Sequence, residues 1–328
     1  MSARYAIIPL DFLTEKIMDG RISNHQQIAS LRRYIMTDGA EKGLEVIDCD
    51  NGTLRFLINV TKACDMMQLY HKGQNMSFIS KNGFLKRELP FAKRFEGGML
   101  YTCGLDSAGE RDGFEEHGSL HNTPAQVLRA ECGEEGIVIE AVLRDTEVLG
   151  KNLVLRRRIT STIGSDRVKV VDRLTNENYF EEKYCLLYHV NIGYPMMDEG
   201  ARIVGDVIDR QPRTAWAEKQ METAYQIEAP IPGFEEVCYY LKLKQPQISM
   251  VNRKIGKKFT VSYSGDTLPL FLEWKSIACG DYAVGLEPTT TKLDGLFEYS
   301  TIGAGETLEF FVELSVSDEI GKNDKRAE

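Results

Sequence analysis

The stretch "LEVIDCDNGTLRFLINV", residues 44–60, decides the fold class. On both sides of Asn51-Gly52 the apolar residues recur with the two-residue period of a strand. An Asn-Gly step between two such runs is a strong short-range signal for a β-hairpin. Working outward, the same period returns nearly from end to end, in "GMLYTCGL" (98–105), "GIVIEAVLRD" (136–145), "LVLRRRITSTI" (153–163) and "YCLLYHVNIG" (184–193). It continues in "PLFLEWKS" (269–276), "YAVGLEP" (282–288) and "LEFFVELSV" (308–316). Roughly a dozen strands divided by short turns read as an antiparallel sandwich or barrel, not as alternating βαβ units. The segment "QQIASLRRYIMTDG" (26–39) fits a helix or a twisted strand, and its neighbours favour strand. No composition break marks a linker. One β domain over residues 1–328 is expected, with 1–25 as an N-terminal extension and 317–328 as a charged tail.

The totals exclude several functions. Among 328 residues, 40 Lys and Arg stand against 49 Asp and Glu, a formal charge of −9. That balance disfavours nucleic acid and anionic membrane as partners. The nearest basic run, Arg156 to Arg158, lies inside an alternating strand and reads as a solvated face. Seven cysteines, an odd number without a CxxC pair, read as reduced residues, five of them in apolar surroundings. "MSARYAIIPLDFLTEKI" has only a short apolar run, cut by Pro9 and Asp11, and is neither a signal peptide nor a span. A cytoplasmic protein is expected. Phosphate-loop, dinucleotide and HExxH motifs are lacking. "GLDSAG" around Ser107 has its glycines offset from the GxSxG spacing and lacks the helix that a nucleophile elbow needs.

Three segments carry candidate chemistry. "EEHGSLHNTPA" (115–125) places His117 and His121 four apart, so that on a helix both would face one metal. Gly118 and the Asn122-Thr123-Pro124 run oppose a helix, leaving ordinary loop histidines and catalytic groups as the other readings. In "LLYHVNIGYP" (186–195) alternation puts His189 and Asn191 on one face, so they either serve a polar cleft or form a satisfied core. In "LEWKSIACGDYAVGLEPTTT" (272–291) Glu287 ends an apolar strand, where a carboxylate is costly unless bonded or functional. Trp274 and Lys275 on the preceding strand are expected to flank the same cleft. An aromatic face beside polar groups suits a sugar.

Together these segments resemble the aldose 1-epimerase (galactose mutarotase-like) superfamily, and within it the DUF4432 branch. The resemblance rests on "FEGGMLYTCGLDSAG" (95–109), "HGSLHNTPA" (117–125), "YHVNIGYP" (188–195) and "EWKSIACGDYAVGLEP" (273–288). "TKACDMMQLYHKGQNMSFIS" (61–80) fits more loosely, and the likeness runs from about residue 45 to about 315. It implies an all-β fold, a large antiparallel β-supersandwich with a sugar site on one concave face. It also implies catalysis by two histidines and a glutamate, without metal or other cofactor. Carried over position by position, these are His117, His189 and Glu287. Arg94, His121, Asn122, Asn191, Trp274 and Lys275 are the expected substrate contacts. Two positions depart from the branch: Ser119 replaces an arginine after the histidine-glycine pair, and Lys62 replaces one near Asp65. The activity implied is anomer interconversion on a small carbohydrate. The alternatives are a sugar isomerase or epimerase acting at carbon, and a non-catalytic carbohydrate-binding protein.

Overall fold

A computed structural model describes residues 20–318 apart from 88, 112, 134 and 135, so most of the expected extension and tail lies outside the described residues. The opening hairpin forms as expected, from β1 (Ser30–Ile35), β2 (Glu45–Asp50) and β3 (Leu54–Asn59), with β4 (Asp65–His71) and β5 (Gln74–Asn75) completing a five-stranded sheet in chain order. Its turn is set by Asn51, whose side-chain oxygen accepts from the Thr53 and Leu54 amides while its amide group donates to Ser161 Oγ, 2.7 Å away. Gly52, at φ 89°, supplies the left-handed residue beside it. The ambiguous segment 26–39 holds strand β1 between two single 3₁₀ turns, so strand was the better reading.

The remaining strands are β6 (Leu100–Leu105), β7 (Gln126–Gly133), β8 (Gly136–Thr146), β9 (Asn152–Ser161), β10 (Arg167–Asn176), β11 (Glu182–Ile192) and β12 (Arg202–Val204). They continue with β13 (Val207–Pro212), β14 (Val237–Leu243), β15 (Gln247–Asn252), β16 (Lys257–Tyr263), β17 (Leu270–Ala278), β18 (Asp281–Thr289), β19 (Ser300–Ile302) and β20 (Thr307–Ser317). An eight-stranded sheet runs β12-β15-β16-β20-β10-β9-β8-β7. A seven-stranded sheet runs β13-β14-β17-β18-β11-β19, with β6 also paired to β11. Every pairing between these strands is antiparallel, as the alternating patterns require. The fold is the all-β supersandwich expected.

One buried cluster joins all three sheets, with Phe56 and Leu69 from the first, Leu155 and Phe310 from the second, and Tyr188 and Leu286 from the third. Strands β6, β11, β14 and β17 of the seven-stranded sheet give alternate residues to this core and others to a smaller cluster on its far face that includes Tyr101, Leu187, Cys238 and Leu272. The candidate site belongs to that far face. All seven cysteines are free and five are buried, as expected for small apolar side chains.

The Arg156–Arg158 run departs from the solvated face expected of it. Alternation along β9 turns Arg157 inward to 2 % exposure. Its guanidinium donates to both Asp172 oxygens at 2.9 and 2.7 Å, to the Ala63 carbonyl at 2.9 Å and to Thr102 Oγ1 at 2.9 Å, and it pairs with Asp65. Tyr188 donates to Asp172 at 2.7 Å. One side chain thus ties β4, β6, β9, β10 and β11 across all three sheets. A buried arginine is tolerable because two carboxylates and two further oxygens satisfy it.

Candidate functional site

Register across the seven-stranded sheet builds the site. The β11–β18 pairing aligns Leu187 with Thr289 and Val190 with Leu286, which sets His189 opposite Glu287. On the other side of β18, Glu287 faces Leu272 and Gly285 faces Trp274. Tyr101 of β6 lies opposite His189. A row of side chains therefore crosses four strands on one face, and residues distant in sequence become lateral neighbours. His189 Nε2 stands 3.3 Å from Glu287 Oε1, with both side chains nearly fully buried. Neither Glu287 Oε1 nor His189 Nδ1 has an aligned hydrogen-bond partner within the protein.

Gly285 makes this approach possible. A Cβ there would lie 2.1 Å from Glu287 Oε1 and 3.1 Å from His189 Cε1. The glycine is required by the space that the catalytic candidates occupy, not by its backbone angles.

His117 reaches the same cleft from a loop. Its φ of 64° is left-handed, a conformation that costs a non-glycine residue energy and persists only where the surroundings enforce it. They do so here: Gly104 N donates to the His117 carbonyl, and Asp106 Oδ1 accepts from the Ser107 and Ser119 amides. Gly118 is packed so closely that a Cβ would strike the Ser107 carbonyl at 2.3 Å. His117 Nδ1 donates to the Ala108 carbonyl at 2.8 Å, which leaves Nε2 as the bare nitrogen of the neutral ring. The His117 and His189 rings stand 5.3 Å apart, edge to face.

Aromatic walls enclose these groups. Phe91 lies 4.9 Å from the His117 ring, and Phe95 and Trp274 lie 5.8 and 5.6 Å from His189. The enclosed volume is about 140 Å³. Burial, reinforced by Glu236, pushes the Glu287 carboxyl well above the usual carboxylate range, with Arg213 opposing. Burial, reinforced by the His117 ring, pulls His189 well below the usual imidazole range. Burial likewise brings His117 down to about 4, although the residue as a whole is only partly buried. Burial thus disfavours charge on either member of the His189–Glu287 pair and favours a neutral carboxyl beside a neutral imidazole.

The other expected contacts divide. Trp274 lines the cleft. Asn191 lies on the His189 face, buried, its amide donating to the His189 carbonyl at 3.1 Å. Lys275 is a correction. Adjacent residues of a strand point to opposite faces, and its ammonium donates to the Thr223 and Gln226 carbonyls at 2.9 Å on the core side of the sheet. His121 is a second. It is buried beneath the site, bonded to Asp65 at 2.7 Å, 3.4 Å from Glu96, and stacked on Tyr101 at 3.6 Å. Burial pulls its pKa down, but Asp65 and Glu96 outweigh that and raise it. Asn122 belongs to the same cluster and accepts from Lys62 at 2.9 Å. Arg94, on the short helix α1 (Phe91–Arg94), is buried and paired with Glu115, and it does not line the cleft. Among the described residues no group of three His, Cys, Asp or Glu is arranged to hold a metal.

The cleft also contains residues that the sequence reading passed over: Glu110, Glu116, Arg213 and Glu236. Glu236 accepts from Trp274 Nε1 at 2.7 Å and so fixes the indole. Its proximity follows from Cys238 pairing with Trp274, a register that alternation alone does not reveal.

A protein-family model described as "Domain of unknown function (DUF4432)" matches residues 41–307. A search of curated proteins found no match. Among solved structures, the chain is similar to a "putative aldose 1-epimerase" from Klebsiella pneumoniae subsp. pneumoniae, at TM-score 0.80 and 19 % identity over 89 % of this chain and 86 % of that one. It is similar to a galactose mutarotase-like protein from Clostridium acetobutylicum, at TM-score 0.65 and 14 % identity over 89 % and 100 % of the two chains. A galactose mutarotase related enzyme from Lactobacillus acidophilus matches at TM-score 0.59 and 13 % identity, over 83 % and 97 %. At these identities the likeness concerns the fold. Among the described residues no helix is long and apolar enough to cross a membrane.

Proposed function

The chain belongs to the DUF4432 family, and from that premise we propose that it is an aldose 1-epimerase-like isomerase, interconverting the anomers of a small sugar by acid/base catalysis. The observation that carries this reading is the His189–Glu287 pair, 3.3 Å apart with a free carboxylate oxygen, inside an aromatic cleft that His117 also enters. The cleft's about 140 Å³ is smaller than the roughly 300–1,000 Å³ typical of drug-sized ligands, which fits one sugar ring and not a chain of them. Trp274 and Phe95 offer faces for the C–H side of that ring.

Anomer exchange needs two simultaneous proton movements. A base removes the proton of the C1 hydroxyl, an acid protonates the ring oxygen, and the C1–ring oxygen bond breaks to give the open aldehyde. Proton transfer across the Glu287–His189 contact converts the neutral pair into carboxylate and imidazolium. Glu287 then acts as base on the C1 hydroxyl and His189 as acid on the ring oxygen. After rotation about C1–C2, closure on the other face reverses both transfers and restores the pair. His117, its Nδ1 held by Ala108, presents Nε2 to orient the sugar and stabilise charge at the ring oxygen. Burial disfavours both separated charges, so the charged pair forms only as the sugar's hydroxyl and ring oxygen take up its charges, and it returns to the neutral pair when the ring has closed.

The test is exchange NMR on fresh solutions of several aldoses with wild-type protein and Glu287→Gln. Catalysed exchange that Glu287→Gln removes supports the reading. Deuterium appearing at carbon in heavy water assigns an isomerase acting at carbon instead. Sugar-induced thermal stabilisation without faster exchange assigns a binding protein.

A further inference from the structure

The electrostatics of the cleft select among sugars. Four carboxylates line it, those of Glu110, Glu116, Glu236 and Glu287. Arg213 is the one lysine or arginine among its described lining residues, and its guanidinium is spent on Asp294 through two bonds of 2.5 and 2.8 Å. Three other basic side chains, Arg94, Lys275 and Arg111, serve elsewhere. Arg94 pairs with Glu115, and Lys275 holds backbone carbonyls on the core side. Arg111 donates to Tyr299 and lies over the Phe297 ring at 4.0 Å.

The carboxylates also act on one another. Glu110 and Glu236 raise Glu116 after burial does, and Glu236 raises Glu287. Glu110, Glu116 and Glu236 therefore concentrate acidic groups at the cleft, and Glu287 Oε1, in a side chain of 3 % exposure, has no hydrogen-bond donor from the protein. The walls of the cleft are Phe91, Phe95 and Trp274, and aromatic faces attract cations. An ammonium group complements those acidic groups and meets those faces. A phosphate, sulfonate or uronate adds a further negative charge, and the one cation among the described lining residues, Arg213, is already paired with Asp294.

Resting on the anomerase reading, we infer that the preferred substrate is an amino sugar, its ammonium held among Glu110, Glu116 and Glu236 at the mouth of the cleft, and that anionic sugars are rejected. The experiment compares kcat/KM for anomer exchange, at mildly acidic pH, among each free amino sugar, its hydroxyl parent, its N-acetyl derivative and its 6-phosphate. The gluco, galacto and manno series are all included. In whichever series is turned over, the amine exceeds its parent by at least about ten-fold, an advantage that falls as salt is added. The N-acetyl compound, of similar bulk without charge, loses that advantage. Glu236→Gln and Glu110→Gln each shrink it several-fold, and Glu110→Gln does so without touching the Trp274 bond. Parents exchanged as well as their amines, or 6-phosphates preferred, overturn this inference and leave the anomerase reading standing. No catalysed exchange in any series removes that reading as well.

Discussion

Gly285→Ala is the most discriminating substitution, because it alters the site without changing any group proposed to react. The added Cβ falls 2.1 Å from Glu287 Oε1, about 1.3 Å short of the 3.4 Å at which ordinary contact begins. Gly285 lies outside the left-handed region, so alanine is compatible with the strand and the obstruction falls on the mobile end of Glu287. Relief requires the carboxylate to retreat by about an ångström from its place beside His189. A displacement of that size costs roughly 10²-fold in rate where geometry governs the step. Overpacking of this kind costs about 1–3 kcal/mol of stability at most sites, leaving a folded protein to assay. The measurement is kcat for anomer exchange in four proteins: wild type, Gly285→Ala, Glu287→Gln and the double variant. If the alanine acts only by displacing the carboxylate, the double variant is no slower than Glu287→Gln alone. A fully active Gly285→Ala protein, or strictly multiplicative losses, would refute the claim that Glu287 works from the position described.

Other outcomes follow from the same geometry. Glu287→Gln retains the fold and loses about 10²–10⁴ of the catalysed rate, measured by polarimetry. Arg157→Met leaves Asp65 and Asp172 buried without their cation and costs about 3–5 kcal/mol in urea unfolding, while an unchanged midpoint would show the joint to be dispensable. His121→Ala breaks the bond to Asp65 and lowers stability by about 1–3 kcal/mol, while the folded fraction keeps its kcat. A loss of kcat matching that of His117→Ala would place His121 in the chemistry. Stability also depends on pH with a definite sign. His117, depressed to about 4 from an ordinary 6.5, contributes stability above pH 6.5 that is lost as pH falls through 4. Glu287, raised in the folded state, contributes stability at low pH that is lost as pH rises through its raised value, and Glu287→Gln should abolish that alkaline loss.

The strands were legible because each buried face imposes a period of two, and Asn51-Gly52 announced its own hairpin. Alternation also carried correct facings for His189 and Asn191. Lys275 shows the rule being overlooked: beside Trp274 on one strand, it had to face the other way. Arg157 shows its limit. An inward-pointing arginine is intelligible only with Asp65 and Asp172 in view, and those lie on other strands. His121 was misplaced for the same reason, since Asp65 is 56 positions away. The pairing of His189 with Glu287 depends on the register between β11 and β18, and no local pattern records it. Glu110, Glu116, Arg213 and Glu236 lie outside the strands or at their ends, where periodicity is silent.

The Arg157 joint bears on how the chain assembles. A guanidinium satisfied by groups from three sheets cannot be buried by any two of them without leaving polar partners stranded in an apolar interior. A half-built sandwich is therefore penalised just where it would otherwise begin to close.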